Sequence, residues 1–282
     1  MMKMSKRIVL DAGHGMYTPG KRCMKEIDPN ETREWWLNQR IASKVEERLK
    51  SYDVEVIRVD DPTGKTDVPL GTRCAKANDF KADIYCSFHH NAGINGRNGG
   101  GIVVFTYDNS KEAIRLRNTL YECLISAGGL SGDRSNPKTA NPGLQVLNST
   151  RMIAVLVEHG FMDSIKDTPV ILTNEYAEKM AAGWIDFFEK YLGIKKKAAD
   201  QPAAAPANAP VASPSVSDGY KVRVTAWGLN IRKGPGTSYP VVGCIRDKGV
   251  YTIVEEKMNG STKWGRLKSG AGWISLGYTE KV

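Results

Sequence analysis

The chain has 282 residues, 41% of them apolar, which is more than one average domain needs and enough to bury a full core in at least one. No apolar run approaches the roughly 18 to 20 residues that cross a bilayer, and the amino terminus, MMKMSKRIVLDAG, lacks a signal-peptide core and a small-residue cleavage site. These features predict a protein made in the cytoplasm, without membrane insertion. The net charge of +9 is unevenly spread: residues 1–194 carry +1, residues 195–219 carry +1, and residues 220–282 carry +7. A field of that sign favours a polyanionic partner for the last part of the chain. Five cysteines (23, 74, 86, 123 and 244) form an odd count at wide spacings with no CxxC, which argues against a disulfide framework and a thiolate metal cage.

In chain order, RIVLD (7–11) reads as a first strand, followed by a helix over 29–51 and a strand, VEVIRVD (54–60). A helix over 70–81, the strand ADIYCSFH (82–89) and the strand GIVVFTY (101–107) come next. A helix over 111–127, LQVL (144–147) and IAVLVEH (153–159) as strands, and a helix over 175–191 complete this part. The alternation predicts an α/β domain over 1–194 with a largely parallel twisted sheet and helices on both faces. Residues 195–219 are low-complexity Ala/Pro/Ser and read as an extended linker. Short strands separated by Gly, Pro and Asn turns then predict a small all-β domain over 220–282, suited to a half-open barrel.

In open α/β sheets the active crevice lies beyond the carboxyl ends of the strands. Four histidines are available, and three segments bring ionisable groups to that rim: His14, the pair His89 and His90, and the pair Glu158 and His159. A histidine in so bare a turn as DAGHG can also be a hydrogen-bonded loop residue. On the first helix, Asp28, Pro29 and Glu31 read as N-cap, first helical residue and capping box, which gives Glu31 a structural role. Glu34 instead lies on the inward stripe of Leu37, Ile41, Val45 and Leu49. A carboxylate there needs a lysine or arginine, or a metal ion, because an unpaired buried charge is costly. Catalytic zinc commonly takes two histidines and a glutamate, a set that His14, Glu34 and one of His89/His90 can supply. Neighbouring residues on a strand point to opposite faces, so the two members of each pair have different roles. Glu158 is then a second carboxylate, placed where a general base is needed.

The stretches DAGHG, E-WWL-N with asparagine four after the glutamate, R-CAKAN, ADIYCSFHHNA and VLVEHGFMDS occur in this order across residues 6–192. Together they closely resemble the zinc-dependent N-acetylmuramoyl-L-alanine amidases of autolysins and phage endolysins. The resemblance implies one zinc ion on His14, Glu34 and His89, with Glu158 as the catalytic carboxylate in hydrolysis of the amide between N-acetylmuramic acid and L-alanine. His90 and His159 occupy positions that vary in such families and are expected in the substrate groove or behind the ligands. Ile153 departs from the proline that many relatives carry before the last strand. Cysteine nucleophilic catalysis is the rival chemistry, and no cysteine has a convincing base beside it.

LNIRKGPGTSYPVVG and GWIS resemble bacterial SH3-like wall-binding modules over residues 220–282. Trp227, Tyr239, Tyr251, Trp264 and Trp273 are either a ligand surface or, for at least half of them, the core of a very small domain. The expected partners are peptidoglycan and anionic wall polymers, not nucleic acid, and the expected state is a monomer. The absent signal peptide favours a phage or prophage endolysin that acts on the wall after release. The alternatives are a host autolysin or sporulation amidase, and an inactive wall-binding protein.

Overall fold

The computed structural model describes residues 5–197, 219–226, 229–237, 239–245, 249–260 and 262–282; of Val241 and Cys244 only the backbone is described. The chain divides into two compact units, Met1–Gln201 and Pro202–Val282. Most of the expected linker, residues 198–218, and Trp227 lie outside the described residues.

The first unit is built on six strands: β1 (Lys6–Ala12), β2 (Val54–Arg58), β3 (Ile84–Asn91), β4 (Val103–Thr106), β5 (Lys138–Ala140) and β6 (Ile153–Phe161). Their order across the sheet is β2-β1-β3-β6-β4-β5. Four pairings are parallel, and β4 runs antiparallel to β6. Helices α1 (Glu34–Leu49), α3 (Lys111–Ser126) and α6 (Asn174–Leu192) cover one face; α2 (Leu70–Phe80) and the short α4 (Gln145–Asn148) lie on the other. Alternation along β1 shows why both faces fill: Ile8, Leu10 and Ala12 enter the core beneath α1, α3 and α6, whereas Val9 packs with Cys74 and Ala77 of α2.

Three local expectations are corrected. LQVL is helical, because Leu144 begins a single turn whose Val146 and Leu147 pack on α2 and the sheet. A short apolar run suits either state. The first helix starts at Glu34 instead of Pro29, and there is no capping box. The Asp28 carboxylate closes its own turn by accepting from Asn30 N at 3.2 Å and Thr32 N at 2.8 Å, and Glu31 adopts a left-handed φ of 48°. The strand β5 and the turn-length helix α5 (Asp167–Ile171) had no periodic signal long enough to read. After α6 the chain stays attached to this unit: Asp53 N donates to Lys195 O and Lys197 N to Ser51 O, each at 2.9 Å.

The second unit is an antiparallel sheet of β7 (Tyr220–Val224), β8 (Leu229–Arg232), β9 (Val241–Ile245), β10 (Val250–Asn259), β11 (Thr262–Leu267), β12 (Trp273–Ser275) and β13 (Thr279–Lys281). Its strand order is β13-β7-β10-β11-β12-β8-β9, over a core of Val222, Val224, Leu229, Ile245, Ile253, Leu267 and Ile274. Trp264 and Trp273 are buried, Tyr251 is half-buried and Tyr239 is exposed, so most of the described aromatics serve the core. Among the described residues no helix is long and apolar enough to cross a membrane.

Candidate metal centre

His14 owes its position to what happens as β1 leaves the sheet. Gly13 N still donates to Phe88 O at 3.0 Å, and His14 then turns left-handed at φ 67°. That conformation is strained for a residue with a side chain, and a buried guanidinium braces it. Arg73 of α2 donates to Asp11 Oδ1 at 2.6 Å, Ala12 O at 2.8 Å, His14 O at 3.2 Å and Asp67 Oδ1 at 2.9 Å. Asp11 Oδ2 also accepts from Tyr85 and Ser87, both at 2.8 Å. Gly13 has to be glycine for a different reason: a Cβ there would lie 2.0 Å from His89 Cε1, because the imidazole from β3 lies across it.

Glu34 opens α1 and is 1% exposed, on the inward face with Leu37, Asn38, Ile41, Val45 and Leu49. Its backbone N–H donates to Lys21 O at 3.0 Å, which closes the helix start without a side-chain cap. Its carboxylate lies between two imidazoles, with Oε2 at 3.3 Å from His14 Nε2 and Oε1 at 3.1 Å from His89 Nδ1. The rings of His14 and His89 are nearly perpendicular with centroids 5.0 Å apart. One ligand atom from each of the three residues lies within 4.8 Å of the others. Burial raises the Glu34 carboxyl pKa, but hydrogen bonds and charge from His14 and His89 outweigh it and hold the group well below the ordinary range. For His89, burial opposes the charged form, yet Glu34, Glu158 and Asp11 raise its pKa overall.

Glu158 arrives from β6 as the direct cross-strand partner of His89. Its Oε2 is buried and accepts no hydrogen bond; burial pushes the carboxyl up to about 7, with His89 lowering it and Glu34 raising it. Glu34 Oε2 likewise has no hydrogen-bond partner that satisfies it. One of the two remedies read from the sequence is near this carboxylate, since Lys21 Nζ lies 3.8 Å from Oε2, but on a side chain that is 46% exposed. Two imidazoles and one carboxylate converging on an unsatisfied oxygen fit a zinc ion by number and type of donor. The four cysteines whose side chains are described do not offer the rival chemistry: Cys23, Cys74, Cys86 and Cys123 are buried, and burial raises the Cys86 thiol pKa well above its ordinary value.

The model of the N-acetylmuramoyl-L-alanine amidase family matches residues 8–190. The chain belongs to this family. It is 29% identical over 191 residues to the sporulation-specific N-acetylmuramoyl-L-alanine amidase of Bacillus subtilis, covering 67% of this chain and 69% of the relative. To the endolysin of Bacillus phage SPP1 it is 30% identical over 200 residues, covering 69% of each. The catalytic domain of CwlV, an N-acetylmuramoyl-L-alanine amidase from Bacillus (Paenibacillus) polymyxa var. colistinus, superposes with a TM-score of 0.59 at 25% identity, covering 67% of this chain and 99% of that one. The chain is an amidase that hydrolyses peptidoglycan at the bond between N-acetylmuramic acid and L-alanine.

The two remaining histidines of the amidase lie beneath the rim and not in a groove. His90 is 2% exposed, with Nδ1 at 2.8 Å from Asn38 Oδ1. His159 is fully buried beside Phe88 and Trp184; its Nδ1 lies 3.1 Å from His89 O, and its Nε2 accepts from Trp184 Nε1 at 3.0 Å. Burial, aided by the neighbouring His159, holds the His90 pKa well below the ordinary value, and burial lowers His159 to about 3. Both are neutral at physiological pH. Sequence reasoning missed Arg73 and Asp11. The available signal was an arginine in the same helical stripe as Cys74 and Ala77, which face the sheet. Asp163 was also missed; one of its oxygens accepts from the N–H groups of Gly93, Ile94 and Asn95, each at 2.8 Å, and so ties the loop after β3 to the end of β6.

Proposed function

We propose that the amidase works with one zinc ion held by His14, Glu34 and His89, and that Glu158 is its catalytic carboxylate. The observation that carries this reading is the convergence of three ligand atoms within 4.8 Å beside a buried Glu158 oxygen with no hydrogen-bond partner. Bound there, zinc supplies Lewis acidity, which polarises the scissile carbonyl and lowers the pKa of a water toward about 7. Glu158 accepts a proton from the attacking water and delivers it to the departing alanine nitrogen. The test is release of free amino groups from purified walls after chelation and again after zinc is restored. Activity is expected to vanish and return, and hydrolysis by fully demetallated protein would overturn the metal reading.

Residues 220–282, with their net charge of +7, fit an SH3-like wall-binding module that attracts anionic wall polymers. Together with the likeness to the endolysin of phage SPP1, this supports a lytic role for a phage or prophage enzyme made in the cytoplasm, acting as a monomer on the wall after release. The comparable likeness to a sporulation-specific amidase favours a host role as the second reading. Zymography of the host strain with and without induction of lysis separates the two.

A further inference from the structure

Beneath the three proposed ligands lies a hydrogen-bond network whose proton positions follow from the partners. Trp184 Nε1 can only donate, so His159 Nε2 accepts and His159 carries its proton on Nδ1, which donates to His89 O. Asn38 faces Gly13 O at 3.1 Å and Glu34 Oε1 at 3.4 Å, both acceptors, so its amide nitrogen points to them and its Oδ1 points to His90. His90 must therefore carry its proton on Nδ1. The peptide between His89 and His90 is used on both sides: its carbonyl accepts from His159, and its N–H donates to Glu34 Oε1 at 3.3 Å. Glu34 Oε1 is thus held by Asn38, by His90 N–H and by the His89 ring, and Oε2 is left facing His14.

We propose that His90, acting through Asn38, is a positioning residue that presets the Glu34 carboxylate so that one oxygen is reserved for the metal. The inference rests on the reading of His14, Glu34 and His89 as ligands. Asn38 is fully buried, and turning its amide over would set Oδ1 against two other oxygens. The Nδ1–H of His90 completes the useful orientation by pairing its other end. Without that donor Oδ1 is buried and unpaired, and the amide is held toward Glu34 by its nitrogen alone. Partners of this kind, one bond removed from a metal, orient ligands and tune affinity.

The test compares His90→Leu with His90→Asn in the full chain. The two replacements are nearly the same size, and asparagine returns an N–H at the position of the imidazole Nδ1. Zinc affinity is read by competition with a chromophoric chelator, which needs no hydrolysis. His90→Leu is expected to bind zinc about 10- to 100-fold more weakly, His90→Asn to recover part of the loss, and Asn38→Leu/His90→Leu to be no weaker than Asn38→Leu alone. Long-range proton–nitrogen spectra of the unmutated, metal-free chain are expected to show His90 protonated on Nδ1, a readout that no folding defect can disturb. Wild-type affinity in His90→Leu, independent losses that multiply in the double variant, or a proton on Nε2 overturns the proposal. If the unmutated protein binds no zinc, the ligand reading fails and takes this inference with it; if it binds zinc and His90→Leu binds equally well, only the inference fails.

Discussion

Glu158 and His89 are direct partners across two parallel strands, yet they meet opposite demands. His89 has a carboxylate at 3.1 Å to hold it, whereas Glu158 Oε2 is enclosed with no donor. Because Glu158 stands outside the trio whose ligand atoms lie within 4.8 Å of one another, it is expected to act on a substrate and not to hold the ion. Glu158→Gln should therefore lower kcat by about 10²- to 10⁴-fold while zinc content, measured by metal analysis, stays at the wild-type level. Loss of zinc in that variant would make Glu158 a ligand. Gly13→Ala makes the complementary case, because its methyl would overlap the His89 ring at 2.0 Å. The imidazole has to leave its position, so zinc affinity is expected to fall by at least about tenfold with the circular dichroism of the fold retained. His89 was readable from the resemblance, but the need for glycine at position 13 was not, since the clash involves a residue 76 positions away in sequence.

At the scale of elements, the Asp11 and Arg73 pair joins β1 to α2 and fixes the turn that carries His14. Both side chains are almost fully buried. Removing one partner of such a pair leaves an uncompensated charge, so Arg73→Ala is expected to cost about 3–5 kcal/mol of stability, measured by denaturant unfolding at neutral pH. The pH dependence follows from the Asp11 carboxyl. Burial raises its pKa, but Arg73, His89 and Ser87 together bring it below the ordinary 3.8. A group depressed on folding contributes stability that is present above its unfolded pKa and is lost as pH falls through the folded one. The advantage of the wild type over Asp11→Asn should accordingly persist from pH 7 to about pH 4 and shrink in more acid solution; a constant difference down to pH 2 would contradict it. The stripe that turned Glu34 inward was legible along α1. The start of that helix was not, because Asp28 satisfies backbone groups in a turn of its own before the helix begins.

For the whole molecule, the charge difference between +1 over residues 1–194 and +7 over residues 220–282 argues for a division of labour. Residues 1–197, which include the pairing of 195–197 with the turn after α1, should cleave soluble muramoyl peptides as the full chain does. On intact walls the same piece should be slower, because a tethered binding module raises local enzyme concentration at an insoluble substrate. Residues 219–282 alone should pellet with walls, and less so as salt rises to screen exposed charge. Equal wall cleavage by the truncated and full chains, or tighter binding of the second unit to duplex DNA than to walls, would remove the targeting role.

The sequence by itself determined the alternation of strands and helices, the inward face of Glu34 and the rim positions of His14, of the pair His89 and His90 and of the pair Glu158 and His159, because side-chain period and strand ends are local properties of a chain. Only the tertiary structure decided which groups support them. Arg73 beneath His14, Gly13 beneath His89, and His90 against the Asn38 that faces Glu34 join segments separated in sequence, and their roles arise when parallel strands and their helices bring these groups into contact. The short pieces, β5, α4 and α5, were decided in the same way: three to five residues hold too little periodicity to choose a conformation, and packing against the sheet chooses it for them.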